Sequence, residues 1–348
     1  MSVDKLRKLT PVLVVVATAF AVGACGGAED TKDAAAGSSG GDGGKTLSLV
    51  AFSTPQVVYD EVIPEFEKTP EGEGVSFKTS YGGSGDQSRA VEAGLQADIV
   101  HLSLEPDVTR LVEAGLVSGN WQSEAKDGVI ADSVVAFAVR AGNPKNIQDW
   151  DDLLKPGVEV VTPNPFSSGG AKWNLLAGYG AKGDLGKKPE AGLDYLRSLM
   201  TEHVKVQDKS AREALQTFLG GQGDVLLAYE NEAITAQKKG EEIDYVVPSS
   251  SLLIETPIAV TNDAAPEAEA FLQYLLSEPA QTKFAEWGYR PVDKQVYEAN
   301  KSRFKQPADG IFTMAELGGW EKLNTELFDP EDGSVAAIEE EAGVSTAS

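Results

Sequence analysis

Cysteine occurs once in the 348 residues, at Cys25, and histidine twice, at His101 and His203. A single cysteine excludes a disulfide framework and any cysteine-rich metal site. Two histidines this far apart do not make a histidine-based zinc site. Basic residues are scarce as well: 30 lysines and arginines stand against 54 acids, a formal net charge of −24. That balance excludes the basic stripe with which a nucleic-acid binder tracks phosphates. It equally excludes charge-driven adhesion to anionic lipid. The apolar run over 11–22 is too short to span a bilayer.

What that run does fit is an export signal. Lys5, Arg7 and Lys8 precede it, and Val22-Gly23-Ala24-Cys25 closes it, which are the basic, apolar and small-residue regions of a cleaved leader. The lone cysteine takes the +1 position of the cut, as in the lipobox of bacterial lipoproteins, whose cysteine is diacylated; an incidental cysteine behind a plain signal is the alternative. Removing 1–24 takes away Lys5, Arg7, Lys8 and Asp4, a net of two positive charges, and leaves about −26. Residues 25–45 read as the lipidated Cys25 and a Gly-rich linker that cannot bury enough apolar surface to order itself. Such a coil reaches roughly 25 Å root-mean-square. The protein is therefore expected to be exported and tethered to the outer face of the cytoplasmic membrane. At the other end, 329–348 carries six acids and no base and reads as a solvated or disordered tail.

Between these ends short apolar runs alternate with amphipathic stretches. Strands are expected at 47–52, 75–81 and 98–103, with helices at 55–67, from the Gly82-Gly83-Ser84-Gly85 turn to 95, and at 106–114. Ser53 and Thr54 are the expected caps of the first helix. A long apolar run at 134–140 opens a second series: strands at 158–162, 204–206 and 225–229, with helices from Ser168-Gly169-Gly170 to 179, over 189–202, from Ala211 to 219 and from Glu230. A strand at 258–261 and helices at 266–276, 279–287 and 319–327 follow. Repeated strand–loop–helix units argue for parallel α/β sheets with ligand space at the strands' carboxyl ends. We expect two α/β lobes, 46–133 plus 251–328 and 134–250, with crossings near 132–135 and 247–253 and the C-terminal helices returning to the first lobe.

Four strand-to-helix junctions share small residues: Phe52-Ser53-Thr54-Pro55, Gly83-Ser84-Gly85, Ser168-Gly169-Gly170 and Lys209-Ser210-Ala211. Free N–H groups and the positive end of a helix dipole make such a turn an anion site without any cation. Serine and glycine are also ordinary helix caps, and each junction taken alone reads that way. Catalytic patterns fail: Asp86 breaks Gly-x-Ser-x-Gly, Gly83–Ser88 lacks the third glycine of a dinucleotide fingerprint, and Gly183–Lys188 lacks the phosphate-loop spacing. His101 and His203 read as packing or capping histidines. Asp151-Asp152 and 339–341 read as solvated charge. No catalytic residue, metal or cofactor is expected.

Ser168-Gly169-Gly170-Ala171-Lys172-Trp173-Asn174 after Asn164-Pro165 resembles the Ser-Gly-Gly-Ala-Arg-Trp-Asn motif of the sulfate/thiosulfate-binding proteins of bacterial ABC importers. Gly82-Gly83-Ser84-Gly85-Asp86-Gln87 and the block from Asp224 to Ala233 are similar to further family motifs, as are Arg140-Ala141-Gly142-Asn143-Pro144-Lys145 and Asp149-Trp150. The likeness runs from about 47 to 320 and is greatest to the lipoprotein branch of Gram-positive bacteria. It implies a bilobal α/β fold of the type II periplasmic-binding-protein class, holding a dehydrated oxyanion in the cleft by neutral hydrogen bonds. It implies ligand positions at Ser53, Ser84, Ser168, Gly169, Gly170, Ala211 and Tyr229. Ser53 stands where the family often has aspartate, and Tyr229 where it has tryptophan. The implied partners are sulfate or thiosulfate and a membrane ABC permease, reached by a monomer on its lipid anchor. Receptors for phosphate or molybdate are the alternatives. An exported ester hydrolase would need a nucleophile, base or metal cluster that the sequence does not offer, and an adhesin would leave the Gly-Ser turns as mere caps.

Overall fold

A computed structural model describes residues 45–123 and 126–346. The expected signal peptide, Cys25 and all of the linker except Lys45 lie outside the described residues. The first series comprises β1 (Lys45–Phe52), α1 (Gln56–Phe66), β2 (Val75–Gly82), α2 (Ser84–Glu92), β3 (Ile99–His101) and α3 (Glu105–Glu113). The long strand β4 (Val129–Arg140) follows, and then β5 (Val160–Pro163), α4 (Gly169–Lys182), α5 (Pro189–Ser198), β6 (Val204–Asp208), α6 (Ala211–Leu219), β7 (Val225–Tyr229) and α7 (Glu230–Lys238). The remainder is β8 (Ile243–Val246), β9 (Ser250–Val260), α8 (Pro266–Leu275), α9 (Glu278–Glu286), β10 (Arg290–Pro291), α10 (Lys294–Asn300), β11 (Gly310–Phe312), α11 (Met314–Leu317), α12 (Trp320–Phe328) and α13 (Ser334–Glu341).

The strand order is β2-β1-β3-β9-β4-β7-β5-β6. β2-β1-β3 and β6-β5-β7 are two parallel triplets with the same internal arrangement. The sheet is not parallel throughout, as the repeated units had suggested. β9 runs antiparallel to β3 and to β4, and β4 runs antiparallel to β7. These two long strands join the lobes: β4 pairs with β9 through Val134 and with β7 from Val135 onward. Its residues 130–131 and 133–139 are buried, so it reads as one apolar run rather than an alternating one.

Each lobe has its own apolar core. Leu47, Leu49, Tyr59, Phe66, Phe271 and Phe284 centre the first, bringing α1, α8 and α9 onto β1. Phe137, Trp150, Trp173, Leu176 and Tyr195 centre the second. The C-terminal helices divide between them, which corrects the expected return of 251–328 to the first lobe. Phe312, Leu317, Trp320, Leu323 and Leu327 belong to the second core, because β11 pairs with the start of β9 at Ser250–Leu252 and delivers the chain there. Trp320 then meets Trp173 edge-on, ring centroids 4.7 Å apart. The acidic end is not a solvated tail either. It forms α13, which buries Val335, Ala336 and Ile338 in its apolar spacing while Glu340 and Glu341 stay outside.

Candidate functional site

The carboxyl ends of the six strands in the two parallel triplets point into one small cavity between the lobes, where α/β sheets hold ligands. β1 and β2 contribute Ser53, Gly83 and Ser84, and Ser103 follows β3. From the other lobe come Ser168, Gly169 and Gly170 after β5, Ala211 after β6 and Tyr229 at the end of β7. All seven positions singled out in the sequence line this space, joined by Thr54, Gly83 and Ser103. The interior leaves room for the centre of a water-sized sphere over only about 10 Å³. That suits a small dehydrated ion.

Three helices start at the cavity: α2, α4 and α6. The first N–H groups of each have no partner within the helix. Were these junctions ordinary caps, serine side chains would fill those positions. Only Ser210 does, accepting from Glu213 N. Ser168 precedes α4 in extended backbone and makes no cap bond, and α2 has Gly83 as its cap residue. The expected capping of α1 by Ser53 or Thr54 is absent as well: Thr54 Oγ1 instead meets Tyr289 OH at 2.7 Å.

Glycine is required here by close approach. A Cβ on Gly83 would sit 2.7 Å from Ser167 O, and one on Gly169 would sit 2.8 Å from Leu104 Cγ and 2.9 Å from Ser103 Oγ. Both contacts cross from one lobe to the other. At Gly170 the nearest atoms are Ser168 Oγ at 3.4 Å, Ala211 Cβ at 3.6 Å and Tyr229 Cε1 at 3.7 Å, so these side chains converge on one point.

The polar wiring separates donors from acceptors. Ser84 Oγ donates to Asp107 Oδ2 at 2.5 Å and accepts from Ser103 N at 2.8 Å. Its hydroxyl proton is therefore committed, and what Ser84 offers the cavity is its backbone N–H. Tyr229 OH and Ser103 Oγ lie 2.6 Å apart. Tyr229 N donates to Glu232 Oε2 at 3.0 Å. Burial pushes the carboxyls of Asp107 and Glu232 up, the latter to about 7. No lysine, arginine or histidine lines the cavity. Arg212, one residue into α6, turns its guanidinium onto Ser53 O. Lys172 Nζ bonds Asn324 Oδ1 at 2.6 Å, its pKa lowered by burial to about 8.

Neither histidine reaches the cavity. His101 is sealed in the first core: Thr256 Oγ1 donates to Ala131 O, so it accepts from His101 Nε2–H, and Tyr59 OH donates to Nδ1 at 2.8 Å. Burial lowers that imidazole to about 3, which keeps it neutral. His203 Nδ1 faces Val158 O. Among the described residues no group of His, Cys, Asp and Glu could hold a metal ion, and no helix is long and apolar enough to cross a membrane. Ser103 was missed in the sequence, although its place just past a parallel strand is the signal that marked the other junctions.

A family described as "Bacterial extracellular solute-binding protein" matches residues 47–290. The sulfate-binding protein of Synechococcus elongatus is 41% identical over 90% of this chain and 91% of its own length. The thiosulfate-binding protein of Pseudomonas aeruginosa is 33% identical over 81% of this chain and 89% of its own. Among solved structures, the sulfate-binding protein SubI from Mycobacterium tuberculosis H37Rv superposes with a TM-score of 0.80 at 47% identity, covering 82% of this chain and all of that one.

Proposed function

The chain belongs to the bacterial extracellular solute-binding proteins, and within that family we propose that it is the sulfate receptor of an ABC importer, held at the membrane through Cys25. It is a binding protein, not an enzyme. The observation that carries the reading is the meeting of three helix N-termini on a cavity lined by no cation. A tetrahedral dianion there accepts from the free N–H groups of α2, α4 and α6, dipoles already oriented before the ligand arrives, and from hydroxyls that turn toward it. Ser53, Ser84, Ser168, Gly169, Gly170, Ala211 and Tyr229 are the proposed ligands, Ser84 acting through its N–H.

Lobe closure buries the ion, a hinge movement of the kind general to such receptors. We place the hinge where β4 changes partner at Val134 and Val135 and where β9 faces it at Leu253. The lobes are then 46–133 with 254–309, and 134–253 with 310–341. The monomeric receptor hands its ion to the permease from a linker that lets it sample the membrane surface.

Calorimetric titration with sulfate, thiosulfate, phosphate and molybdate tests this. Tight binding of sulfate, with or without thiosulfate, is expected, and phosphate or molybdate should bind far more weakly. Phosphate binding as tightly as sulfate would refute the assignment.

A further inference from the structure

One hydrogen bond joins the two lobes at the cavity wall without an ion or a peptide group. Ser103 in the first lobe and Tyr229 in the second set their hydroxyl oxygens 2.6 Å apart, both side chains buried. The serine is held on both sides: its N–H donates to Ser84 Oγ, and its carbonyl accepts from Trp173 Nε1 at 2.8 Å. Its hydroxyl is thereby aimed at the phenol.

Two hydroxyls sharing one hydrogen bond use one proton between them and leave one to turn outward. Either hydroxyl can be the donor in the empty cavity, and the phenol, the more acidic of the two, is the one whose proton an anion would draw. An oxyanion beside Tyr229 competes for that proton, and Ser103 then turns its own proton onto the phenol oxygen. The chain from Ser103 through Tyr229 to the anion runs head to tail, and each bond polarises the next. With Ser103 donating to its oxygen, the phenol faces the anion with its proton, and its acceptor side is turned to the serine.

We propose that Ser103 is a positioning residue for oxyanion selectivity, locking Tyr229 as a donor so that a ligand carrying its own proton is turned away. The proposal rests on the reading of the cavity as an oxyanion site.

The test is calorimetry with inorganic sulfate and inorganic phosphate at pH 8, on the full chain and on Ser103→Ala, Tyr229→Trp and the double variant, with a thermal melt of each. Ser103→Ala should weaken sulfate about fivefold to tenfold and narrow the preference over phosphate about tenfold, because the freed phenol can accept. An indole N–H only donates. In the Tyr229→Trp background, Ser103→Ala should therefore change affinity and preference less than about twofold. Where the indole unfolds the chain, Tyr229→Phe serves instead, since without a phenol there is nothing for Ser103 to lock. Equal losses in both backgrounds would make Ser103 a packing residue and overturn the proposal, and so would an unchanged preference in Ser103→Ala alone. Sulfate binding by the unaltered chain sustains the site reading whichever way Ser103 falls, whereas no binding at all overturns both.

Discussion

Gly169→Ala puts a methyl group where the two lobes touch, and its cost can be worked from the contacts. The added carbon would lie 2.8 Å from Leu104 Cγ and 2.9 Å from Ser103 Oγ. Carbon contacts rest near ~3.5–4.0 Å, so the overlap is roughly 1 Å and falls on the opposite lobe. Gly169 is the first residue of α4, where alanine suits the backbone. The open, ligand-free chain should therefore keep its stability or gain up to about 1 kcal/mol. Closing the lobes would meet an overpacking cost of about 1–3 kcal/mol, which raises the sulfate Kd roughly fivefold to 150-fold. Calorimetry reads the Kd, and a thermal melt without ligand reads the fold. An unchanged Kd would refute the claim that this contact forms on closure. A ligand-free melting temperature that falls in step with affinity would show that the methyl damages the lobe itself.

Three further outcomes follow. Arg290 donates twice to the fully buried Glu230, at 2.7 and 3.0 Å, so Arg290→Met should cost about 3–5 kcal/mol in urea denaturation by leaving that carboxylate unpaired. Burial already holds Glu230 above its ordinary range, so the variant should recover stability as pH falls from 7 toward 5; parental stability at pH 7 would contradict this. Glu339 of α13 has Gln207 as its partner and is raised by burial to about 7 from 4.5. Its stabilisation is full below about 4.5 and lost as pH rises through about 7, so Glu339→Gln should be more stable than the parent at pH 8 by on the order of 1 kcal/mol and equal to it near pH 4; equal melting at both values would contradict the sign. Cys25→Ser should move the protein from the membrane fraction to the medium, and retention on the membrane would remove the lipid anchor from the proposal.

Local punctuation carried most of what the sequence disclosed. β1 through α3 and β5 through α7 fall within a few residues of their expected bounds because Gly, Pro and Ser turns separate periodic stretches there. The elements that escaped notice owe their existence to distant partners. β10 is two residues held against β4, and β11 is three held against β9; neither has a period to read. The direction of β9 follows from its joining both lobes. The acids at 339–341 give α13 the composition of a tail, while what folds it is Val335 and Ile338 at helical spacing. At the cavity the shared chemistry of four Gly-Ser turns was legible. The Ser84–Asp107 and Ser103–Tyr229 bonds were not, since each joins residues from separate elements.

A chain of net charge −24 that takes up a dianion needs an account of why its own field does not repel the ligand. Exposed acids lie in solvent, where screening over roughly 8–10 Å mutes them. Two buried carboxyls stand behind the cavity wall, and each has a cation acting on it: Lys172 on Asp107 and Arg212 on Glu232. Each also accepts from a group that lines the cavity, the Ser84 hydroxyl and the Tyr229 N–H. The acids thus fix the orientation of the wall, and burial, which raises both, limits the negative charge they carry. What the ion meets in front is a set of N–H dipoles already aligned and hydroxyls that need only turn a proton, none of them carrying a net charge to be desolvated. On this reading selectivity resides in the direction of those dipoles rather than in the count of charges. That is why one misplaced hydroxyl proton at Tyr229 would matter more to the ligand than the many acids on the surface.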